Sequence, residues 1–453
     1  MSKTASDNNR LFSNSDLRKL ILPLMVEQFL AMLVGMIDTI MVSSVGEEAI
    51  SGVSLVNEVN FLMITILAAL ATGGTVVVSQ YLGAGNKKTA NLAASQLFIA
   101  AAVFGLVLMG ISEAGKTAIL AFLYRSLEPE VMSAAVIYLG ITALSFPFLA
   151  IYNSTAALYR AMSKTRTTMW VSILMNTINV VGNYFGVYVF NMGVAGVAWP
   201  TLISRAVAGV LMTALAFNHK NEISIVLKDI FSWRPRIMKK ILRIALPNGI
   251  ENGLFQLGRV LVSSIVATYA TYQIAANGVM HSFSTMGCLC SVSVNLATIP
   301  VIGKCVGADD YVQARYYIKK LVLLNMVLSL ATTLLLLVLT PVLLPLFTIT
   351  PEAAEVVKTL IKIQCITIPL MHALSFTLPN ALRAAGDVNY TMIVGVSSMF
   401  LARIAGSYLL GTVMGLYVVG IFLAMYLDWV VRIICFVIRY KSGKWTKYRL
   451  IDR

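Results

Sequence analysis

Ten ionisable side chains interrupt long apolar stretches of this sequence, and these are the residues whose chemistry would be unusual. A charge inside hydrocarbon is costly, so such residues are kept where they bind an ion, move a proton or form an ion pair. A carboxylate removed from water also favours its protonated form, so it can take up a proton and release it when its surroundings change. The candidates are Glu27, Asp38, Glu58, Arg205, Glu251, Arg259, His281, His372, Arg403 and Asp428.

The apolar stretches themselves indicate a membrane protein. Of the 453 residues, 58% are hydrophobic and 12% are charged, which is about half the charged fraction of a typical soluble domain. Apolar runs of roughly 20 residues recur along the chain, and each is long enough to cross a hydrocarbon core as a helix. A β-barrel is disfavoured because its strands would alternate apolar and polar residues. We therefore predict an all-α polytopic membrane protein.

Proline, glycine and charge clusters divide the apolar runs into twelve predicted helices. Most of the 35 Lys and Arg residues fall in alternate loops, which is the distribution expected when basic residues stay on the cytoplasmic side. We therefore expect both termini in the cytoplasm, and the net charge of +15 does not indicate nucleic acid. The helix ranges are 17–44, 49–80, 88–112, 130–159, 166–190, 194–218, 238–268, 272–302, 312–340, 354–383, 388–411 and 416–439.

The twelve helices are predicted to be two copies of a six-helix unit. Pro23 and Glu27 return as Pro247 and Glu251, 224 positions later. Because six is even, both copies enter the membrane from the same side, which gives a parallel repeat. We expect the linker to contain a short surface helix. The predicted domains are an N-terminal segment 1–16, a first bundle 17–218, a linker 219–237, a second bundle 238–440 and a tail 441–453.

Five short motifs follow one another along the chain, namely Ile37-Asp38-Thr39-Ile40-Met41, Gly73-Gly74-x-x-x-x-Ser79-Gln80-x-x-Gly83-Ala84, Ala157-Leu158-Tyr159-Arg160-Ala161, Gly193-x-x-Gly196-x-Ala198-x-x-Thr201 and Ser442-Gly443-Lys444-Trp445. In this order, within a duplicated chain, they resemble the multidrug and toxic compound extrusion (MATE) family. The resemblance implies two six-helix bundles that form a V around a central cavity open to one side at a time. It also implies export of amphipathic, often cationic, organic compounds in exchange for protons or sodium.

The resemblance also implies a site in the first bundle. Asp38 resembles the first-helix aspartate on which ion coupling rests in this family, and Pro23 resembles the proline at which that helix bends. Proline has no N–H and weakens a helix locally, which is consistent with a bend. Asn179, Asn183 and Thr201 match the positions that complete the family's first-bundle cation site.

Two questions about this site stay open on the sequence alone. Several relatives carry an aspartate where this chain has Asn183, and one acid instead of two weakens sodium binding, so protons are favoured. With sodium as the coupling ion, Asp38, Asn179 and Thr201 would be its ligands. The structural alternatives are that Asp38 caps a neighbouring helix near the outer surface and that the asparagines only join helices by hydrogen bonds.

Glu251 is the candidate coupling or substrate residue of the second bundle. Another branch of the family places a cation site there, with a helix-7 glutamate and a helix-10 aspartate, but the tenth helix of this chain has no interior acid. The alternative is a structural ion pair of Glu251 with Arg259 or Arg403.

Several other polar residues are candidates for lining a cavity. Glu58, Asn57 and Asn60 form a polar patch in the second helix, and Gln256 and His281 lie in the seventh and eighth. A lone histidine in an apolar helix is either a packed core residue or a proton relay.

We expect no cofactor apart from the coupling ion, H⁺ or Na⁺. The expected partners are the lipid bilayer of the bacterial cytoplasmic membrane and small amphipathic organic substrates, with no nucleic acid, and the chain is expected to act as a monomer. No His-Glu-x-x-His or paired-aspartate motif indicates a membrane-embedded enzyme. A lipid-linked oligosaccharide flippase of the same superfamily is the alternative, but its strongly cationic cavity would need more interior arginines.

Overall fold

A computed structural model describes residues 10–124, 128–347, 349–448 and 450–451 of the chain. Helices account for most of these residues, and no strand occurs among them. The prediction of an all-α protein is therefore confirmed. Residues 1–9 of the predicted N-terminal segment, and residues 449 and 452–453 of the predicted tail, lie outside the described residues.

The first of two compact units extends from Phe12 to Gly249. A short π-helix, Phe185–Val189, continues the fifth of its six long helices, and one helical turn, Leu227–Ile230, lies in the linker. The long helices are Asn14–Ser43 (α1), Glu47–Gly83 (α2), Lys87–Leu123 (α3), the bent pair Pro129–Ala143 and Phe146–Ala161 (α4), Thr165–Tyr184 (α5) and Ala195–Ala216 (α6).

The second unit contains Arg10, Leu11 and the described residues from Ile250 onward. The remaining six helices complete the predicted twelve; α7 begins in the first unit and continues into the second, and α10 and α11 contain π-helical segments. They are Pro235–Val266 (α7), Thr271–Gly307 (α8), Tyr311–Leu343 (α9), Pro351–Ala384 (α10), Val388–Val413 (α11) and Tyr417–Lys441 (α12).

Two of the twelve helices are less apolar than the others. Within the described ranges, nine helices are long and apolar enough to cross a membrane, and the bent pair of α4 makes a tenth span. The remaining two are α5, with Asn176, Asn179 and Asn183, and α7, with Glu251 and Arg259. Because polar residues inside membrane helices are costly and mark functional positions, α5 and α7 are the helices in which sites are expected.

The largest difference from the predicted helix ranges is the end of α3. The sequence predicted an end at residue 112, before the charges of Glu113 and Lys116, whereas the helix continues to Leu123. Lys116 Nζ lies 3.0 Å from Glu113 Oε2. Residues three apart lie on the same helix face, so this ion pair supports the helix instead of ending it.

A second difference is that α4 is broken, although the sequence predicted one helix over 130–159. Its two halves are bent by 48°, and Pro147 lies in the first turn of the second half. Proline cannot donate a hydrogen bond to the preceding turn, and its ring clashes with the carbonyl four residues before it. Ser145, at the break, donates from Oγ to the carbonyl oxygen of Thr142 at 2.6 Å.

Glycines bring α5 and its π-helical extension close to α6, and the same arrangement recurs between α11 and α12. A Cβ atom on Gly196 would lie 2.6 Å from the backbone of Gly186, and a Cβ atom on Gly420 would lie 2.6 Å from the backbone of Gly411. Backbones approach this closely only where no side chain separates them. Gly196 and Gly420 are 224 positions apart, so the crossing is common to both repeats.

The linker is docked on α3 by hydrogen bonds between its backbone and Asn91, Ser95 and the buried Gln96. Gln96 Nε2 donates to the carbonyl oxygens of Asp229 and Ser232 at 2.8 and 2.9 Å, and Gln96 Oε1 accepts from Arg234 N at 3.0 Å. Buried amides need such partners because they have lost their hydrogen bonds to water. The linker is therefore ordered on α3, and the expected surface helix amounts to the single turn Leu227–Ile230.

We predict that Gly186→Ala destabilises the first unit. The new Cβ would overlap the backbone of Gly196, and overpacking of this kind costs about 1–3 kcal/mol. The unfolding temperature of the detergent-purified variant, followed by tryptophan fluorescence, is expected to fall. Gly110→Ala is the matched control because no other atom lies within 4 Å of its added Cβ. Equal unfolding temperatures for the two variants would contradict the role of the crossing.

Candidate functional site

Four of the predicted site residues form a continuous chain of hydrogen bonds between α1, α5 and α6. Asn183 Nδ2 donates to Asp38 Oδ1 at 2.7 Å and lies 3.4 Å from Asn179 Oδ1. Asn179 Nδ2 donates to Thr201 Oγ1 at 3.1 Å. The three uncharged residues are buried, and Asp38 is partly exposed. The fold therefore brings together Asp38, Asn179, Asn183 and Thr201 from distant parts of the sequence.

Helix geometry explains why these side chains meet. Asn179 and Asn183 are four residues apart and therefore lie on one face of α5. Gly182, between them, leaves room for α6, because a Cβ atom there would lie 2.7 Å from the ring of Pro200. This close approach brings Thr201, the next residue of α6, within hydrogen-bonding distance of α5.

A cavity of about 540 Å³ lies beside this chain, inside the first unit. Asp38, Asn179 and Thr201 are in its wall, together with Tyr138 and Arg205. Most of the other lining residues are apolar and come from α1 and α2. A mainly apolar cavity with a few converging polar groups is the usual form of a small-molecule site.

Arg205 is a cavity residue that the sequence interpretation did not place in the site. Its Nη1 donates to Ser145 Oγ at 2.8 Å, so the break in α4 supplies the group that orients the guanidinium. A sequence signal was present, since Arg205 follows Thr201 by four residues and lies on the same face of α6. Tyr138, whose hydroxyl donates to Asn57 Oδ1 at 3.4 Å, had no comparable signal because buried tyrosines are common in helix packing.

The cavity wall combines one carboxylate with one guanidinium. Asp38 and Arg205 interact electrostatically, and Asn183 presents its N–H, not its oxygen, to Asp38. No group of three or more His, Cys, Asp or Glu side chains arranged to hold a metal occurs in the described part of the chain. The wall therefore offers a proton acceptor next to a fixed positive charge.

The predicted polar patch of α2 is divided between two helix faces. Asn57 and Asn60 are among the residues that line this cavity, and Asn60 Nδ2 donates to Thr142 Oγ1 at 3.3 Å. Glu58 is exposed and is not among the residues that line this cavity, so its cavity-lining role stays a prediction. Residues three apart share a helix face, whereas an adjacent residue points about 100° away.

Glu251 forms a buried ion pair, but with a different arginine from those expected. Arg383 Nη2 lies 2.5 Å from Glu251 Oε2, and Arg383 Nε donates to Thr391 Oγ1 at 3.3 Å. The expected pairing with Arg259 or Arg403 was wrong, because position in the sequence does not show which helix ends pack together. The role of Glu251 in coupling or substrate binding stays a prediction.

A related arrangement occurs in the first unit. Thr168 Oγ1 lies 3.4 Å from Glu27 Oε2, and Arg160 interacts electrostatically with Glu27. The repeat relates this glutamate, arginine and threonine to those of the Glu251 pair, at offsets of 223 or 224 positions. The duplicated feature is therefore a set of three side chains and not the glutamate alone.

The remaining candidates lie outside the cavity. Arg259 Nη2 lies 3.0 Å from His281 Nε2, and Arg259 Nη1 donates to Gln256 Oε1 at 3.5 Å. The proposed cavity-lining role of Gln256 and His281 stays a prediction. Pro23 is buried in α1, which is one unbroken helix from Asn14 to Ser43, so the bend at Pro23 also stays a prediction.

Comparison with known families finds the same repeat. The family model described as MatE matches residues 23–185 and, a second time, residues 247–409. The two matches begin 224 positions apart, which is the spacing of Pro23 and Pro247. Together they cover more than two thirds of the chain.

Curated proteins are similar over nearly the whole chain. "Probable multidrug resistance protein NorM" of Thermotoga maritima is 27% identical over 447 residues, which are 97% of this chain and 94% of that protein. "Uncharacterized transporter YisQ" of Bacillus subtilis is 27% identical over 441 residues, 93% of each chain. A solved structure described as the outward-facing conformation of a multidrug resistance MATE family transporter of the MOP superfamily superposes with a TM-score of 0.87 at 19% identity, covering 96% of both chains. The last comparison shows that the fold is the same.

We predict that neutralising one member of the Glu251–Arg383 pair destabilises the protein more than neutralising both. Removing one partner leaves a buried charge without compensation, at a cost of about 3–5 kcal/mol. Glu251→Gln and Arg383→Gln should each lower the unfolding temperature in detergent, and the double variant should recover part of that loss. Additive losses would show that the two side chains do not depend on each other.

Proposed function

Because this chain belongs to the MatE family, we propose that it is a proton-coupled secondary antiporter that exports amphipathic organic compounds, cationic ones in particular. Relatives described as multidrug resistance proteins support export of such compounds. The observation that carries the proposal is the position of Asp38, in the wall of a mainly apolar cavity and at the end of a chain of hydrogen bonds.

A single carboxylate is sufficient to couple the movement of protons to the movement of substrate. Ionised Asp38 attracts a cationic substrate into the cavity and accepts the hydrogen bond from Asn183. A proton on Asp38 removes the negative charge, so the attraction for the substrate falls and the charge of Arg205 is no longer balanced. Because proton and substrate depend on the same carboxylate, binding of one favours release of the other, as exchange requires.

The bend expected in α1 connects the protonation of Asp38 to a change in the shape of the cavity. Pro23 lies 15 positions before Asp38 in the same helix, and a proline weakens the helix around it. When Asp38 becomes protonated its interactions with α5 change, and we propose that the outer part of α1 then bends and the cavity contracts.

The groups around Asp38 favour protons over sodium as the coupling ion. Sodium needs several oxygen ligands and a net negative charge, whereas the cavity wall has one carboxylate and the guanidinium of Arg205. Asn183 directs its N–H group, and not its oxygen, toward Asp38. The partial positive charge of that group would repel a sodium ion bound between the two side chains. A proton needs only the carboxylate.

The chain is a multi-pass membrane protein, and we propose that it resides in the bacterial cytoplasmic membrane with both termini in the cytoplasm. The excess of Lys and Arg in alternate loops supports this orientation. We propose that it acts as a monomer, since the cavity with Asp38 is formed within one chain.

Asp38→Asn should abolish proton-driven efflux while the protein still inserts into the membrane. The amide keeps the size of the side chain but does not take up or release a proton near neutral pH. Efflux of a cationic fluorescent dye from proteoliposomes under an imposed pH gradient is expected to fall to background. Glu48→Gln is the matched control because Glu48 is exposed and is not among the residues that line the cavity. Normal efflux by Asp38→Asn would refute the proposed mechanism.

Asn183→Asp should make transport respond to sodium. The substitution places a second carboxylate beside Asp38 and so supplies negative charge and oxygen ligands for the ion. A sodium gradient should stimulate efflux severalfold in this variant and not in the wild type. Asn176→Asp, which adds the same charge to the cavity wall, is the control for charge alone. Equal stimulation of the wild type would overturn the assignment to protons.

A further inference from the structure

The linker between the two repeats exposes large apolar side chains. Leu227, Phe231 and Trp233 are 62%, 84% and 62% exposed. Leu227 begins the single helical turn of the linker, and the two aromatic residues follow that turn. In the membrane helices such exposure is explained by lipid, but the linker is too short to span hydrocarbon. The exposed apolar groups of the linker therefore need a separate explanation.

The backbone that presents these side chains is fixed on both sides of the helical turn. Before the turn, Val226 N donates to Ser95 Oγ of α3 at 3.1 Å. After the turn, Arg234 N donates to Gln96 Oε1 at 3.0 Å. Ile225, in the same segment, is fully buried. The exposure of the apolar side chains is therefore set by the fold and does not result from a loose segment.

The linker is attached to α3 at the point where that helix changes from polar to apolar. The first turns of α3 contain Lys87, Lys88 and the polar residues that bind the linker. Residues 97–111 include no charged side chain, so they form the stretch that spans hydrocarbon. Phe98, at the beginning of that stretch, packs edge-on against Phe217, directly after α6, with ring centroids 6.1 Å apart. We therefore expect the linker at the level of the lipid headgroups.

Basic side chains flank the exposed apolar groups. Lys228 is in the helical turn, Arg234 and Arg236 follow the aromatic residues, and all three are exposed. The one acidic residue of the segment, Asp229, is partly buried, and residues 227–236 carry a formal charge of +2. Aromatic side chains favour the membrane interface, and Lys and Arg near the surface attract anionic lipids. The combination matches the headgroup region of an anionic membrane.

The corresponding segment of the second repeat covers its tryptophan with protein. The tail follows α12 as the linker follows α6, and Trp445 of the tail is fully buried. Its indole stacks on Tyr440 with ring centroids 6.0 Å apart and contacts Tyr311 edge-on at 5.8 Å. Its Nε1 donates to the carbonyl oxygen of Tyr440 at 3.1 Å. Trp233 of the linker, in contrast, is left available to a group outside the chain.

We propose that the linker binds the headgroups of anionic phospholipids and inserts its two exposed aromatic side chains among them. Lipid is the occupant because the helix that holds the linker continues directly into hydrocarbon, and because the charge of the linker is opposite to that of the headgroups. This attachment does not depend on the antiport mechanism. The linker surface consists of Leu227, Lys228, Phe231, Trp233, Arg234 and Arg236.

The test is the quenching of Trp233 fluorescence by brominated lipid. The full chain is reconstituted in vesicles of equal parts phosphatidylglycerol and phosphatidylcholine, in which one lipid or the other carries bromine near the headgroup. The contribution of Trp233 is the difference between the wild type and Trp233→Phe, which keeps the other four tryptophans. Brominated phosphatidylglycerol should quench this contribution about threefold more strongly, because basic side chains enrich the anionic lipid. Equal quenching by the two lipids, or quenching by neither, would overturn the proposal.

Charge variants assign the preference to the linker surface. Arg234→Gln combined with Arg236→Gln should make the two brominated lipids quench equally. The matched control combines Lys441→Gln with Lys444→Gln, which removes the same charge from exposed positions at the end of α12 and in the tail, and it should keep the wild-type preference. Each variant is compared with the same variant carrying Trp233→Phe. Loss of the preference in the control as well would show that net charge alone attracts the lipid, and would reject the linker surface.

Two further measurements separate attraction from insertion. Added salt should reduce the preference of the wild type for phosphatidylglycerol, because exposed charges are screened, and a preference that is independent of salt would contradict the role of the basic residues. Phe231→Ser should weaken quenching by both lipids, because less apolar surface is then inserted. Unchanged quenching in that variant would show that the aromatic residues are not inserted together.

Discussion

The cost of placing charge in hydrocarbon is the constraint on which this structure depends. Water does not solvate a side chain there, so each charge needs a partner supplied by the protein or its ligand. The structure meets this need with an ion pair between Glu251 and Arg383, and with a hydrogen bond from Asn183 to Asp38 beside a cavity. The ion pair balances both of its charges, whereas Asp38 remains partly exposed in the wall of the cavity.

Duplication gave both units the same framework, and substitution gave them different charges. The glutamate, arginine and threonine set recurs near the same repeat spacing, as do the glycine crossings of α5 with α6 and α11 with α12. Asp38 has no acidic counterpart, because Val262 occupies its equivalent position. Features that join the helices are therefore shared, whereas the charge at the position of Asp38 differs between the units.

Irregularities in the helices position the functional groups. The break of α4 at Pro147 places Ser145 against Arg205, which orients the guanidinium in the cavity wall. Gly182 allows Pro200 and the rest of α6 to approach α5. A regular, fully apolar bundle would have neither feature, so the departures from ideal helices are part of how the site is formed.

The sequence by itself determined the helical class, the repeat and the residues of the chain of hydrogen bonds at Asp38. The class and the repeat follow from apolar run length and repeat spacing. The site residues were assigned by their resemblance to the MATE family, and their spacing adds only that Asn179 and Asn183 share one helix face. Only the tertiary structure decided that Glu251 pairs with Arg383 and that Arg205 enters the cavity wall. The physical reason is that spacing along the chain fixes which side chains share a helix face, whereas packing between helices decides which faces meet.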